Sequence, residues 1–74
     1  MPMKDELAQI ENWFSYHAPS PVQVDDYRAI RAAAKALAVV VLERCPPSAD
    51  RTAALRKVRE AVMTANASIA CGGR

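Results

Sequence analysis

Apolar residues recur with a helical period in three separate stretches of the chain. Met3, Leu7, Ile10 and Phe14 are spaced by four, three and four positions, which puts them on one side of a short helix over about residues 4–15. Asp5, Glu6 and Glu11 fall on its other faces. Tyr16-His17-Ala18-Pro19 ends it, because the residue before a proline is pushed away from helical dihedrals. Ser20-Pro21-Val22-Gln23 then reads as a helix start: Ser20 caps, Pro21 suits the first helical position, and Gln23 completes a capping box, with Pro19 and Val24 as a hydrophobic staple around it. No breaker follows until Pro46, so the second helix spans residues 21–44, with a stripe of Tyr27, Ile30, Ala34, Leu37 and Val41. Pro46-Pro47 stops it. Ser48 caps a third helix over residues 49–70, with Asp50 in its first turn where a negative charge suits the helix dipole. Its stripe is Leu55, Val58, Val62, Ala65 and Ile69, and Gly72-Gly73 closes it. A connection this short makes the two long helices antiparallel neighbours. The expected fold is all-α: one domain over residues 1–74, a short N-terminal helix followed by a long antiparallel αα-hairpin.

The second helix is too apolar for a hairpin alone. Ala33, Ala36, Ala38, Val39, Val40 and Leu42 widen its stripe over much of the later circumference, and a helix apolar on several faces needs more than one neighbour. The chain has 74 residues, a length at which one core rarely suffices and disulfides, metals or oligomers supply the rest. Cys45 and Cys71 are the only cysteines. They belong at opposite ends of a hairpin about 33 Å long, too far apart for a disulfide, and no Cys/His cluster has zinc-ligand spacing. Self-association is the expected stabiliser, and two unpaired thiols suit a reducing, cytosolic setting.

A formal net charge of +2 is too mild for bulk DNA or RNA binding. No apolar run is long enough to span a membrane, and the Met-Pro-Met-Lys-Asp-Glu start is not a signal peptide. There is no P-loop, no dinucleotide-binding glycine fingerprint and no zinc-protease motif. His17 has no acidic or thiol partner near it in sequence, so no catalytic group is expected. Asp25-Asp26 read as first-turn acids complementing the dipole rather than as metal ligands, and no metal or cofactor is expected.

Local composition is more informative. The segment from Trp13 to Arg31 holds all four aromatic residues, the only histidine and two arginines. Rings beside guanidinium groups suit a nucleotide, which wants a flat face to stack on and a cation for phosphate. Phe14 belongs to the apolar stripe and reads as core. Trp13 lies off it and either packs on a second subunit or lines a ligand site. Tyr16, past the stripe, is either a corner plug with a wet hydroxyl or a stacking platform. His17 suits a helix-end hydrogen bond or a ligand contact. Arg28, Arg31 and Lys35 form a basic ridge starting near a helix N-terminus, where the field favours anions. Arg51, Arg56, Lys57 and Arg59 read as the solvated face of the third helix.

Five pieces in order, namely Phe14-Ser15-Tyr16-His17-Ala18-Pro19, Tyr27 with Ile30-Arg31, Cys45-Pro46-Pro47-Ser48-Ala49-Asp50-Arg51, Glu60-Ala61-Val62 and Asn66-Ala67-Ser68-Ile69-Ala70, resemble the helical-hairpin domain of phage anti-CBASS protein two. A similar domain occurs in phage sponges that absorb the TIR-derived signal of Thoeris immunity. The resemblance covers about residues 13–71. It implies a homohexamer, acting in the host bacterial cytoplasm, that captures cyclic dinucleotides such as 3′,3′-cGAMP without hydrolysing them and so keeps the host's effector off. It implies that Tyr16 stacks on a base and that Arg31, where the family often has lysine, meets phosphate; Trp13, His17, Arg28 and Tyr27 are the remaining candidates for the ligand site. In that family an arginine follows the Asn-Ala-x-Ile-Ala motif and helps form a second pocket for cyclic trinucleotides near the motif asparagine, Asn66 in this chain. Cys71 stands in the arginine's place, which counts against that pocket here. Cyclic ADP-ribose signals are the alternative ligand, and a helical protein-interaction module without a ligand is the alternative function.

Overall fold

The computed structural model describes residues 3–74. It contains three helices, α1 (Lys4–Trp13), α2 (Pro21–Arg44) and α3 (Ala49–Ala70), and no strand among the described residues. None of the helices is long and apolar enough to cross a membrane.

Local chemistry fixes both ends of the long helices. At the start of α2, the Gln23 backbone N–H donates to Ser20 Oγ at 3.2 Å, and the Ser20 N–H donates to Gln23 Oε1 at 2.9 Å. This is a reciprocal capping box with Pro21 at the first position. The dipole reading of Asp25 and Asp26 is corrected: counted from Pro21 they fall beyond the first turn, which contains no acid and outside which the dipole's pull fades. The helix ends where Pro46 follows Cys45. Ser48 then accepts the Arg51 N–H at 3.1 Å and starts α3. Arg51, expected only to solvate α3, instead turns its guanidinium back across the corner onto the Leu42 and Cys45 carbonyls at 3.5 and 3.4 Å. It thereby satisfies acceptors that the end of α2 leaves open. At the far end of α3, Gly72 and Gly73 take φ of 65° and 76°. Their N–H groups donate to Ile69 O at 3.1 Å and Ser68 O at 2.9 Å. That crossed pair is a Schellman closure, and its left-handed backbone requires glycine.

The two long helices run antiparallel. Half-buried positions on α2 are Gln23, Val24, Tyr27, Ile30, Ala34, Ala38 and Val41, with Cys45 just past its end. On α3 the expected stripe of Leu55, Val58, Val62, Ala65 and Ile69 is half-buried throughout. Leu37, expected in the α2 stripe, is 52% exposed, and Ala38 takes the place beside α3. A methyl-sized side chain there lets the axes approach, which is what small residues at a helix contact allow. Cys45 and Cys71 are free and lie at the C-terminal ends of α2 and α3.

α1 ends at Trp13, short of residue 15, and lies against the far end of α3. Ser15 and His17 take the terminal carbonyls of α1: Ser15 Oγ donates to Glu11 O at 2.5 Å, and His17 Nε2 lies 2.7 Å from Asn12 O. These side chains end the helix before Pro19 can act on it. The docking is polar and falls on the segment just after α3: Asn12 Nδ2 donates to Cys71 O at 3.3 Å, and the Trp13 indole N–H and the Gln9 amide both donate to Arg74 O, the former at 3.1 Å. The apolar stripe of α1 faces outward. Phe14 is 84% exposed, which corrects its reading as core: past the end of α1, its ring has left the stripe.

The molecule is one layer. Its principal extents are 49 × 35 × 14 Å, and the last is close to the diameter of a single helix with its side chains, about 10–12 Å. No described residue is fully buried. The radius of gyration of 16.1 Å exceeds the ~11 Å expected of a compact chain of this length. The accessible surface is 6171 Å², whereas a folded monomer of this mass exposes about 4,500 Å².

Candidate functional site

Side chains around the hairpin seam sort onto two faces. Ala34, Val58 and Val62 are shared by two grooves, one on each side of the seam. Ile30, Ala33, Leu37, Ala61 and Ala65 line the first, with Lys57 as its one charged residue. Arg31, Lys35, Arg59 and Met63 line the second. The helical period produces this separation: Ile30, Ala33, Ala34 and Leu37 recur on one side of α2, while Arg31 and Lys35 are one turn apart on the other. The hairpin therefore has a nearly uncharged face of small and aliphatic side chains and an opposite cationic face.

Tyr16 lies in the segment between α1 and α2 and is 87% exposed. A ring this open, with its hydroxyl unengaged among the described hydrogen bonds, is available for stacking rather than plugging a corner. Arg31 is exposed on the cationic face, roughly ten residues into α2 and so about 15 Å along the axis from Pro21. The groove that contains Arg31 does not include Tyr16. Arg28 is exposed, three positions before Arg31 on α2, and Tyr27 is half-buried in the seam.

Trp13 and His17 have structural employment. Trp13, 56% exposed, bridges α1 to the carbonyl of Arg74 beyond α3 and lines a groove with Thr64, Ala67, Ser68, Cys71 and Arg74. Neither reading of Trp13 anticipated a bond to a backbone carbonyl sixty-one positions away; sequence periodicity carries no signal for such a contact. His17 uses Nε2 on Asn12 O, the helix-end bond. Gln23 was recognisable as a cap, yet its amide nitrogen also donates to Ile69 O at 3.3 Å, tying the start of α2 to the end of α3. Asn66 is half-buried on α3, and its buried Oδ1 has no hydrogen-bond partner within the protomer. Cys71 turns its thiol toward Asn12 O at 4.0 Å, so the position serves the α1 junction. No cluster of three or more potential metal ligands occurs among the described residues.

Residues 6–70 match the family described as Acb2/Tad1, hairpin domain. No curated protein and no solved structure matches the chain.

Proposed function

The chain belongs to the Acb2/Tad1 hairpin-domain family, and from that premise we propose that it is a phage immune-evasion protein that binds and sequesters cyclic dinucleotide messengers without cleaving them, so blocking CBASS signalling in the cytoplasm of the infected bacterium. The observation that carries this reading is the pairing of an almost fully exposed tyrosine before α2 with a cationic face on α2. A base stacks on the Tyr16 ring, and Arg31 grips phosphate through parallel N–H bonds. Arg28 adds positive potential along the same helix, while Tyr27 and His17 support the segment that presents Tyr16.

The working unit is an oligomer, and a hexamer is the form proposed. Two features support assembly. The protomer exposes roughly 1,700 Å² more than a folded monomer of its mass, an amount typical of one subunit's share of an obligate interface. Tyr16 and Arg31 also line no common groove in one chain, so a ligand that touches both is best enclosed between the tyrosine of one protomer and the arginine of another. Binding and assembly are then linked.

Isothermal calorimetry with 3′,3′-cGAMP, followed by heat denaturation and mass spectrometry of the released nucleotide, tests the proposal. Saturable binding at micromolar protein, with the nucleotide recovered intact, is expected. Absence of binding would remove the sponge reading, and recovery of linear product would replace it with a phosphodiesterase. Cyclic ADP-ribose signals belong in the same panel as the alternative ligand. A second reading, a helical interaction module without a small ligand, is favoured by the exposed Val39, Val40 and Leu42 of α2; an assembled protein inert to the whole panel would support it.

A further inference from the structure

The cationic face holds a charge that sequence spacing placed elsewhere. Arg59, read along the sequence as part of the solvated surface of α3, lines the same groove as Arg31 and Lys35 of α2. The floor between them is apolar: Ala34, Ala38, Leu55, Val58 and Val62, with Met63 beside Arg59. No carboxylate is among the residues lining this groove. The neighbouring groove along the outer side of α3 is different, since there Arg56 lies one turn from Glu60 and a carboxylate shares the space. Arg59 stands on the ridge between the two.

Three cations gathered from two helices around an apolar floor repel one another unless an anion joins them. The arrangement has a definite reach. Arg31 and Lys35 are about 5–6 Å apart at their Cβ atoms on α2, and Arg59 approaches from a helix whose axis is about 8–10 Å away. A single small anion occupies only part of that span. A ligand with two phosphates held apart in one ring suits a span of this order.

We propose that Arg59 of α3, with Arg31 and Lys35 of α2, forms a two-helix diphosphate groove in which Arg59 takes the second phosphate of the ligand. The identity of that ligand as a cyclic dinucleotide rests on the sponge reading; the groove itself does not. Arg59 thus acts as a specificity residue, separating ligands with two separated phosphates from mononucleotides.

The test compares the assembled wild-type protein with Arg59→Gln, Arg59→Lys and Arg56→Gln, all at exposed positions. Circular dichroism and sedimentation first establish that each variant keeps the wild-type helix content and assembly. In calorimetry with 3′,3′-cGAMP, Arg59→Gln is expected to weaken affinity about ten-fold or more, the usual effect of losing a charge-assisted bond. Arg59→Lys should recover part of the loss. Arg56→Gln, which removes the same charge outside the groove, should change affinity less than about two-fold. A fall in affinity equal for Arg59→Gln and Arg56→Gln would overturn the Arg59 assignment and leave the sponge reading intact. Titration with inorganic pyrophosphate, followed through the arginine Nε–H NMR signals, separates the other failure. Shifts at Arg31 and Arg59 in a protein that ignores cGAMP would sustain the groove and end the sponge reading, whereas silence of Arg59 toward both ligands would overturn the groove.

Discussion

At the scale of single residues, the decisive contrast is between the aromatic side chains with employment inside the protomer, Trp13 and Tyr27, and the two that stand exposed, Phe14 and Tyr16. Trp13 donates its indole N–H to Arg74 O, and Tyr27 is half-buried between the long helices. Tyr16 has no such contact and stands 87% exposed. A Tyr16→Ala change should therefore leave thermal stability within about 0.5 kcal/mol of wild type while removing stacking of about 1–3 kcal/mol from nucleotide affinity. Parallel melting curves and calorimetry give the answer, and retained affinity would move the stacking role to another ring. The opposite pattern is expected of Trp13→Phe. That change keeps the ring and deletes the donor to Arg74 O, so it should loosen α1 by about 0.5–1.5 kcal/mol. Faster amide exchange confined to residues 4–13 would report it, with affinity for the ligand little altered.

At the scale of elements, most of the hairpin was legible from local chemistry. Ser20, Pro21 and Gln23 form the capping box their order implies, Pro46-Pro47 and Ser48 turn the chain, and every residue of the α3 stripe is half-buried. The errors share a cause. By sequence Leu37 belongs to the α2 stripe and Phe14 to a core, yet Leu37 yields its place to Ala38 because two closely packed helices need a small residue at the contact, and Phe14 falls beyond the end of α1. Arg51 and Gln23 were read within their own helices, but both reach another one. Such long-range bonds leave no periodic trace. In the sequence the candidate site is a list of residue types around Tyr16 and Arg31; that Arg59 lines the same groove as Arg31 became visible only once α3 lay alongside α2. Since the Ser20 hydroxyl is the acceptor for the first turn of α2, Ser20→Ala should cost about 0.5–2 kcal/mol, read as a shifted midpoint in urea unfolding at fixed protein concentration. An unchanged midpoint would mean that assembly contacts hold that end without the cap.

At the scale of the whole molecule, the hairpin has two faces and no interior. Its apolar face, with Leu37 and Ala61, is nearly free of charge, whereas its opposite face gathers cations. This division suits a protein whose apolar surface meets copies of itself and whose cationic surface meets an anion held against the Tyr16 of a neighbouring copy. If assembly supplies the missing burial, the melting temperature must rise with protein concentration. Placing a carboxylate on the apolar face with Leu37→Glu should lower that temperature and shift sedimentation toward the monomer, with loss of helical signal on dilution. A concentration-independent melt for both proteins would show that the single layer stands alone.

A sheet of chain only 14 Å thick also changes what mutational tolerance means. In an ordinary domain, intolerant positions outline a hidden centre. Among the described residues no such centre exists, so, with assembly, the positions under strongest constraint should instead draw the borders where copies meet. If copies assemble, Val39 and Val40, wetted in an isolated chain, are expected among the least replaceable residues, and a map of tolerance along the chain would read as a blueprint of that assembly.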